Sequence, residues 1–151
     1  MNNTKSSKTS AGGVIFKKEK NKTLILLIQD NWNKWTFAKG FVEQDETYRE
    51  TAIREMTEEL GIDAKKLKYI GDLREIEYDY LWKGEKIHKR VYYYLYEWVT
   101  EQKFHLQKKE GIKKARWVPM EKLGKVIGYK EDSLPLIEKV VLKLASKSKH
   151  K

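Results

Sequence analysis

Three glutamates, Glu55, Glu58 and Glu59, stand at positions i, i+3 and i+4 of a segment with a helical pattern. On a helix, those spacings put them within roughly a 100° arc of one face. Like charges so placed cost about 0.2–0.5 kcal/mol per pair, and carboxylates in a last turn also oppose the helix dipole. A hard divalent cation reverses that repulsion, because carboxylate oxygens are the donors Mg²⁺ and Mn²⁺ prefer. The chemistry the cluster suits is metal-assisted. Arg54 lies beside the acidic arc, four residues from both Glu50 and Glu58, where its guanidinium can orient their side chains. A Glu-rich run is ordinarily a solvated helix face, so the wider spacing has to decide.

The helix carrying these groups is read from about Thr47 to Leu60. Asp45, Glu46 and Thr47 suit its start, and Gly61 suits a left-handed stop. Ala52, Ile53, Met56 and Leu60 form an apolar stripe next to the acidic arc, able to pack on a sheet. Residues 1–10 read as a flexible polar lead. Strands are expected at 11–16, 23–28, 35–37, a long 67–80 and 88–99, the last being the strongest strand signal in the chain. A further strand at 115–118 stops at Pro119, a short helix is expected to start within 120–123, and 133–146 reads as an amphipathic helix facing inward through Leu134, Ile137, Val140, Val141 and Leu144. Residues 147–151 form a basic tail. No repeat or long linker divides 11–146, so one α/β domain is expected, a mixed and partly parallel sheet between helices.

Composition narrows the classes further. A chain of 151 residues with 18 aromatics can build a substantial core. It has no cysteine, which excludes disulfides, thiolate catalysis and Cys-ligated metal sites. No run approaches the ~18 apolar residues of a membrane span, and the first ten residues lack a signal peptide's apolar core. A cytoplasmic enzyme without membrane attachment is expected. The net charge of +10 raises nucleic-acid binding as a rival. Most lysines, such as Lys17, Lys18, Lys20 and Lys22 or Lys65, Lys66 and Lys68, are dispersed, which reads as a solvated surface whose field attracts small anions. Nucleic acid is kept as a subordinate partner class.

The full spacing from Gly40 to Ile62 resembles the signature of the Nudix hydrolases. Gly40 is followed after five residues by Glu46, and after seven more by Arg54 and Glu55, then Glu58, Glu59 and Gly61, with Met56 and Ile62 at the apolar places. The resemblance implies an α/β/α sandwich, a divalent metal (Mg²⁺ or Mn²⁺) and hydrolysis of a pyrophosphate bond in a nucleoside diphosphate joined to another group. It places metal ligands at Glu55, Glu58 and Glu59, with the Lys39 carbonyl beside them. Glu58 is expected as the base, with Arg54 and Glu46 as the pair that fixes the helix. Gly40 is expected to let the chain turn tightly. Glu110 is the expected extra metal ligand, ahead of Glu97 and Glu101. His88 and His105 have no partner pattern and read as surface or edge residues.

Substrate signals are weaker. Residues 35–40 (WTFAKG) resemble the segment that precedes the signature in Nudix hydrolases of diadenosine polyphosphates and inositol pyrophosphates, with Ala38 where those relatives have proline. Lys39 and Gly40 are therefore expected at the phosphates, and Trp35, Tyr92 and Tyr94 as candidates for a base pocket; Tyr92 and Tyr94 share one strand face, Tyr93 and Leu95 the other. A dinucleoside polyphosphate such as Ap4A is the leading small-molecule substrate. Ordinary or oxidised (d)NTPs follow, then RNA 5′ ends and ADP-ribose. The non-enzyme alternative is a Nudix-fold sensor or RNA-binding module. A monomer or homodimer is expected.

Overall fold

The computed structural model describes residues 6–107, 111, 112 and 114–149. Its sheet is organised by one long strand, β1 (Ser6–Glu19), which uses both edges. One edge runs parallel to β6 (Glu85–Trp98), from Ser6 opposite Ile87 to Phe16 opposite Glu97. The other edge pairs antiparallel with β4 (Ala38–Phe41) through Ser10–Gly13, then with β2 (Lys22–Gln29) through Phe16–Glu19. β3 (Trp35–Thr36) and β7 (Lys114–Pro119) flank β2, and β5 (Leu67–Trp82) closes the far edge against β6. Of these strand pairings, the one between β1 and β6 is parallel and the rest are antiparallel.

Strand alternation splits the core into two layers. Val14, Phe16, Val91, Tyr93 and Leu95 face α3 (Lys130–Lys149), where Leu136, Val140 and Leu144 meet them. Ala11, Ile15, Tyr94, Tyr96 and Trp98 face α1 (Tyr48–Leu60), where Ala52, Met56 and Leu60 meet them. The expected mixed sheet between helices is present. Its helix α1 is fixed at both ends by local chemistry. Thr47 caps α1 by accepting the Glu50 N–H while the Glu50 carboxylate accepts the Thr47 N–H, a reciprocal capping box. Gly61 ends α1 in the left-handed region at φ 63°.

Several boundaries differ from the sequence reading. β1 starts at Ser6, so residues 6–10 of the expected lead are strand. They gain that structure from pairing with β6, some eighty residues away, which local pattern does not report. α3 starts at Lys130 and runs to Lys149, taking in residues 147–149 of the expected tail. Its buried face is Ser133, Leu136, Val140 and Leu144, while Leu134 and Val141 are exposed. In α1, Ile53 is likewise exposed, and Thr51 takes its place in the buried face. The 120–123 segment is a 3-10 turn (Met120–Lys122) leading into the single-turn α2 (Leu123–Val126). Among the described residues, no helix is long and apolar enough to cross a membrane.

Candidate active site

β4 has four residues and two faces. Ala38 and Gly40 point toward α1, while Lys39 and Phe41 line a cavity on the opposite side. Against the first face lie the carboxylates. Glu55 and Glu59 are each only 9% exposed, and the Lys39 N–H donates to Glu59 Oε2 at 3.1 Å. A Cβ on Gly40 would fall 2.1 Å from Glu55 Cδ and Oε1. Gly40 has no positive φ. This corrects the expected role in a tight turn: the glycine is needed because Glu55 packs onto its Cα. Gly13 serves the same layer, since a Cβ there would strike the Met56 sulfur at 2.2 Å.

Arg54 binds this cluster together. Its Nε donates to Glu46 Oε2 at 2.6 Å and its Nη2 to Glu46 Oε1 at 3.0 Å, a bidentate pair. Nη2 also donates to the Phe41 carbonyl at 2.9 Å, which ties the helix to β4. Nη1 reaches Glu55 Oε1 at 2.9 Å and Glu58 Oε2 at 3.3 Å. Glu50, the other expected partner, is engaged in the helix cap instead. The Arg54 bonds, helped by the Glu43 N–H, hold the Glu46 carboxyl down at about 2. Thr51 Oγ1 adds a further bond to Glu46 at 2.8 Å.

The donor set suits a hard cation: oxygens only, two of the carboxylates buried, and a glycine cradle that leaves room for one of them. Among the described residues, no group of three or more acidic or imidazole side chains stands gathered so that it could hold a metal ion as it is. An open arrangement is what Mg²⁺ accepts, since it commonly takes one or two carboxylates and completes its shell with water and substrate phosphates. The Glu58 side chain is 45% exposed, so solvent reaches it.

On the other face of β4 the cavity encloses about 920 Å³, toward the top of the usual ~300–1,000 Å³ range for small-molecule sites. Four lysines line it: Lys8, Lys34, Lys39 and Lys89. Burial pulls Lys39 below the ordinary lysine value, against the opposing pull of Glu59, Asp30 and Glu55. Lys89 is brought down to about 8 by burial and by the positive charge of Lys39. Lys8 and Lys89 also lie over the Phe41 ring, at 5.6 and 5.0 Å from its centroid. Tyr78, Tyr80, Tyr93 and Tyr129 supply aromatic walls; burial pushes Tyr78 up to about 12, so its hydroxyl stays protonated. Asp30 and Asp132 are the acidic lining groups.

The structure brings Lys39, Gly40, Glu46, Arg54, Glu55, Glu58 and Glu59 together as the sequence suggests. Tyr92 and Tyr94 are not at the cavity. They lie on the α1 side, where Tyr92 stacks on Tyr48 at 4.3 Å and Tyr94 is buried, so the opposite parity, Tyr93, faces the cavity. Trp35 packs half-buried on the α3-side core, with the Arg116 guanidinium 5.7 Å from its ring centre, and does not line the cavity. Glu110 lies outside the described residues. Glu101 accepts the Trp98 indole N–H at 3.0 Å. His88 sits between Glu77 and Asp79 on the outer face of the hairpin, with its Nδ1 2.6 Å from Asp79 Oδ1. Lys39 is expected at the phosphates, but the other cavity lysines, Lys8, Lys34 and Lys89, and the cavity tyrosines were missed. The available signal was the alternation of Ile76, Tyr78, Tyr80 and Trp82 against Glu75, Glu77 and Asp79 along β5.

Comparison with known proteins gives the same outline. A family model described as the NUDIX domain matches residues 7–140. The asymmetrical bis(5′-nucleosyl)-tetraphosphatase of Mus musculus is 33% identical over 116 residues, 76% of each chain. A protein named mutator protein MutT4, of Mycobacterium tuberculosis, is 31% identical over 99 residues, 65% of this chain; the match spans only 38% of that relative's length. A solved C. elegans Ap4A hydrolase, a binary complex, is 28% identical, with a TM-score of 0.76 over 92% of this chain and 98% of its own.

Proposed function

Because the chain belongs to the Nudix hydrolase family, we propose that it cleaves a phosphoric anhydride bond in a dinucleoside polyphosphate such as Ap4A. The observation that carries this reading is the junction at β4. Buried carboxylates lie against one of its faces, and a cavity with four lysines and several tyrosines opens on the other. A polyphosphate chain needs cations along its length, and a nucleobase needs an aromatic surface. Lys39 borders both environments, so phosphates it binds are held next to the carboxylates. The names of the mouse and nematode relatives point the same way.

Mg²⁺ or Mn²⁺ held by Glu55, Glu58 and Glu59, with the Lys39 carbonyl, would neutralise phosphate oxygens and acidify a water. Arg54 and Glu46 act by position, keeping Glu55 and Glu58 aimed while Arg54 anchors α1 to the Phe41 carbonyl. Glu58, the exposed member, takes the proton of the attacking water. The water oxygen bonds to phosphorus as the bridging P–O bond breaks, and the leaving nucleotide departs as a phosphate. Lys39 and Lys89 bind the charge on the phosphate chain. Gly40 lets Glu55 lie flat against β4.

The test is a substrate panel of Ap4A, dNTPs, 8-oxo-dGTP, ADP-ribose and triphosphate-ended RNA with Mg²⁺ or Mn²⁺, read by product identity. ATP plus AMP from Ap4A, at the highest kcat/KM of the panel, is the expected result. Release of pyrophosphate and a monophosphate from a (d)NTP as the preferred reaction would replace the dinucleotide reading with pool sanitation.

A further inference from the structure

The two most exposed aromatic residues lining the cavity are both tryptophans. Trp32 is 73% exposed and Trp82 is 59% exposed, and they lie on different elements. Neither is left on a loose segment. Asp30 Oδ1 accepts the N–H of Trp32 at 2.9 Å and of Lys34 at 3.0 Å, and its Oδ2 accepts the Tyr129 hydroxyl. The Trp32 loop is thus tied to the start of α3 from across the chain. Trp82 ends β5 at a two-residue turn, Lys83–Gly84, where both residues have positive φ, and it pairs with Glu85. On the outer face of the same hairpin, Arg90, His88 and Lys86 pair with Glu77 and Asp79.

From this we infer that Trp32 and Trp82 form an aromatic subsite at the cavity mouth for the second nucleobase of the substrate. This rests on the dinucleotide reading of the same cavity. A tryptophan exposed and held in place beside a cationic cavity offers a π-face to an incoming ring, at a cost in exposed apolar surface that folding does not require. Along β5, Tyr78, Tyr80 and Trp82 share the cavity face, which at ~3.3 Å per residue puts Trp82 about 13 Å beyond Tyr78. A base lying against the tyrosine walls leaves that end open. A second base at the far end of a phosphate chain reaches it, and a mononucleotide has nothing to place there. Stacking tolerates any base, so the subsite selects for a second nucleoside and not for its identity.

The experiment is calorimetric titration of Ap4A and of adenosine 5′-tetraphosphate, in EDTA, into the wild type and into Trp32→Ala and Trp82→Ala variants, with turnover of Ap4A followed separately in Mg²⁺. Circular dichroism confirms that these surface variants fold. The wild type is expected to bind Ap4A more tightly than the mononucleotide. Each variant is expected to lose about tenfold in affinity for Ap4A while its affinity for the mononucleotide stays within about twofold. Equal losses for both ligands, no loss, or no preference for Ap4A in the wild type would overturn the subsite. A tryptophan-dependent preference without cleavage to ATP and AMP would leave the subsite standing and sink the dinucleotide hydrolase reading. Cleavage without tryptophan dependence does the reverse.

Discussion

Replacing Gly40 with alanine separates the chemistry from the fold. The backbone at Gly40 has no positive φ, so alanine adopts it without strain. The three atoms nearest the new methyl group all belong to the Glu55 carboxylate, the first 2.1 Å away where ordinary contact needs about 3.4 Å. The carboxylate must retreat by more than an ångström, and Arg54, bonded to both Glu55 and Glu58 through one nitrogen, moves with it. A displacement of that size in a catalytic group costs on the order of 10²-fold in rate, or about 2.7 kcal/mol of barrier. Overpacking costs stability about 1–3 kcal/mol, which in a chain this long lowers Tm by a few degrees. The expected result is therefore a folded enzyme, kcat/KM down about a hundredfold, and weaker Mn²⁺ binding by electron paramagnetic resonance. Shortening the displaced side chain in a Gly40→Ala, Glu55→Asp double variant relieves the clash, so it is expected to lose less activity than the two single effects combined. A Gly40→Ala variant with wild-type turnover and Mn²⁺ affinity would refute the placement of Glu55 at the reacting phosphates.

Two further outcomes follow from the titrating groups. Glu46 has its carboxyl lowered to about 2 by Arg54, so its contribution to stability is fully present above about pH 4.5 and is lost as pH falls toward 2. The Tm gap between wild type and Glu46→Gln is expected to be widest above pH 5 and to close between 4.5 and 2; thermal scans showing a constant gap would contradict the ion pair. Lys89, brought to about 8 by burial and by Lys39, is expected to lose its charge above that pH, so kcat/KM falls on the alkaline side. Lys89→Arg keeps the charge and should flatten that limb, and an unchanged profile would remove Lys89 from the phosphate site.

The carboxylate helix was legible because its information is local. Caps, spacing and the glycine stop are all written within residues 40–62, and the structure assembles them with Arg54 at the centre. The cavity was not legible, because its residues come from places that local pattern does not connect. Lys8 belongs to a stretch that looks disordered until β6 pairs with it, and Lys34, Lys39 and Lys89 belong to three other parts of the chain. The basic surface expected from composition is in part this convergent set. The placement of Tyr92 and Tyr94 away from the cavity has a related cause. Alternation separates the two faces of β6 correctly but does not say which helix covers which, and that appears only in the packing of α1 and α3 on the sheet.

β4 explains why the two halves of the site must work together. It is only four residues long, and neighbouring side chains point to opposite faces. Gly40 and the Lys39 N–H serve the carboxylates, and the Lys39 and Phe41 side chains serve the cavity. A slip of one residue against β1 would bring Lys39 onto Glu55 and turn a glycine toward the cavity, undoing both arrangements at once. The register is held from two sides: Gly12 faces Lys39 so closely that any side chain there would strike the Ala38 carbonyl at 2.3 Å, and Arg54 grips the Phe41 carbonyl from the helix. The same alternation that fills the core therefore sets the lysine-lined cavity directly beside the carboxylates, the arrangement that the proposed phosphate binding needs.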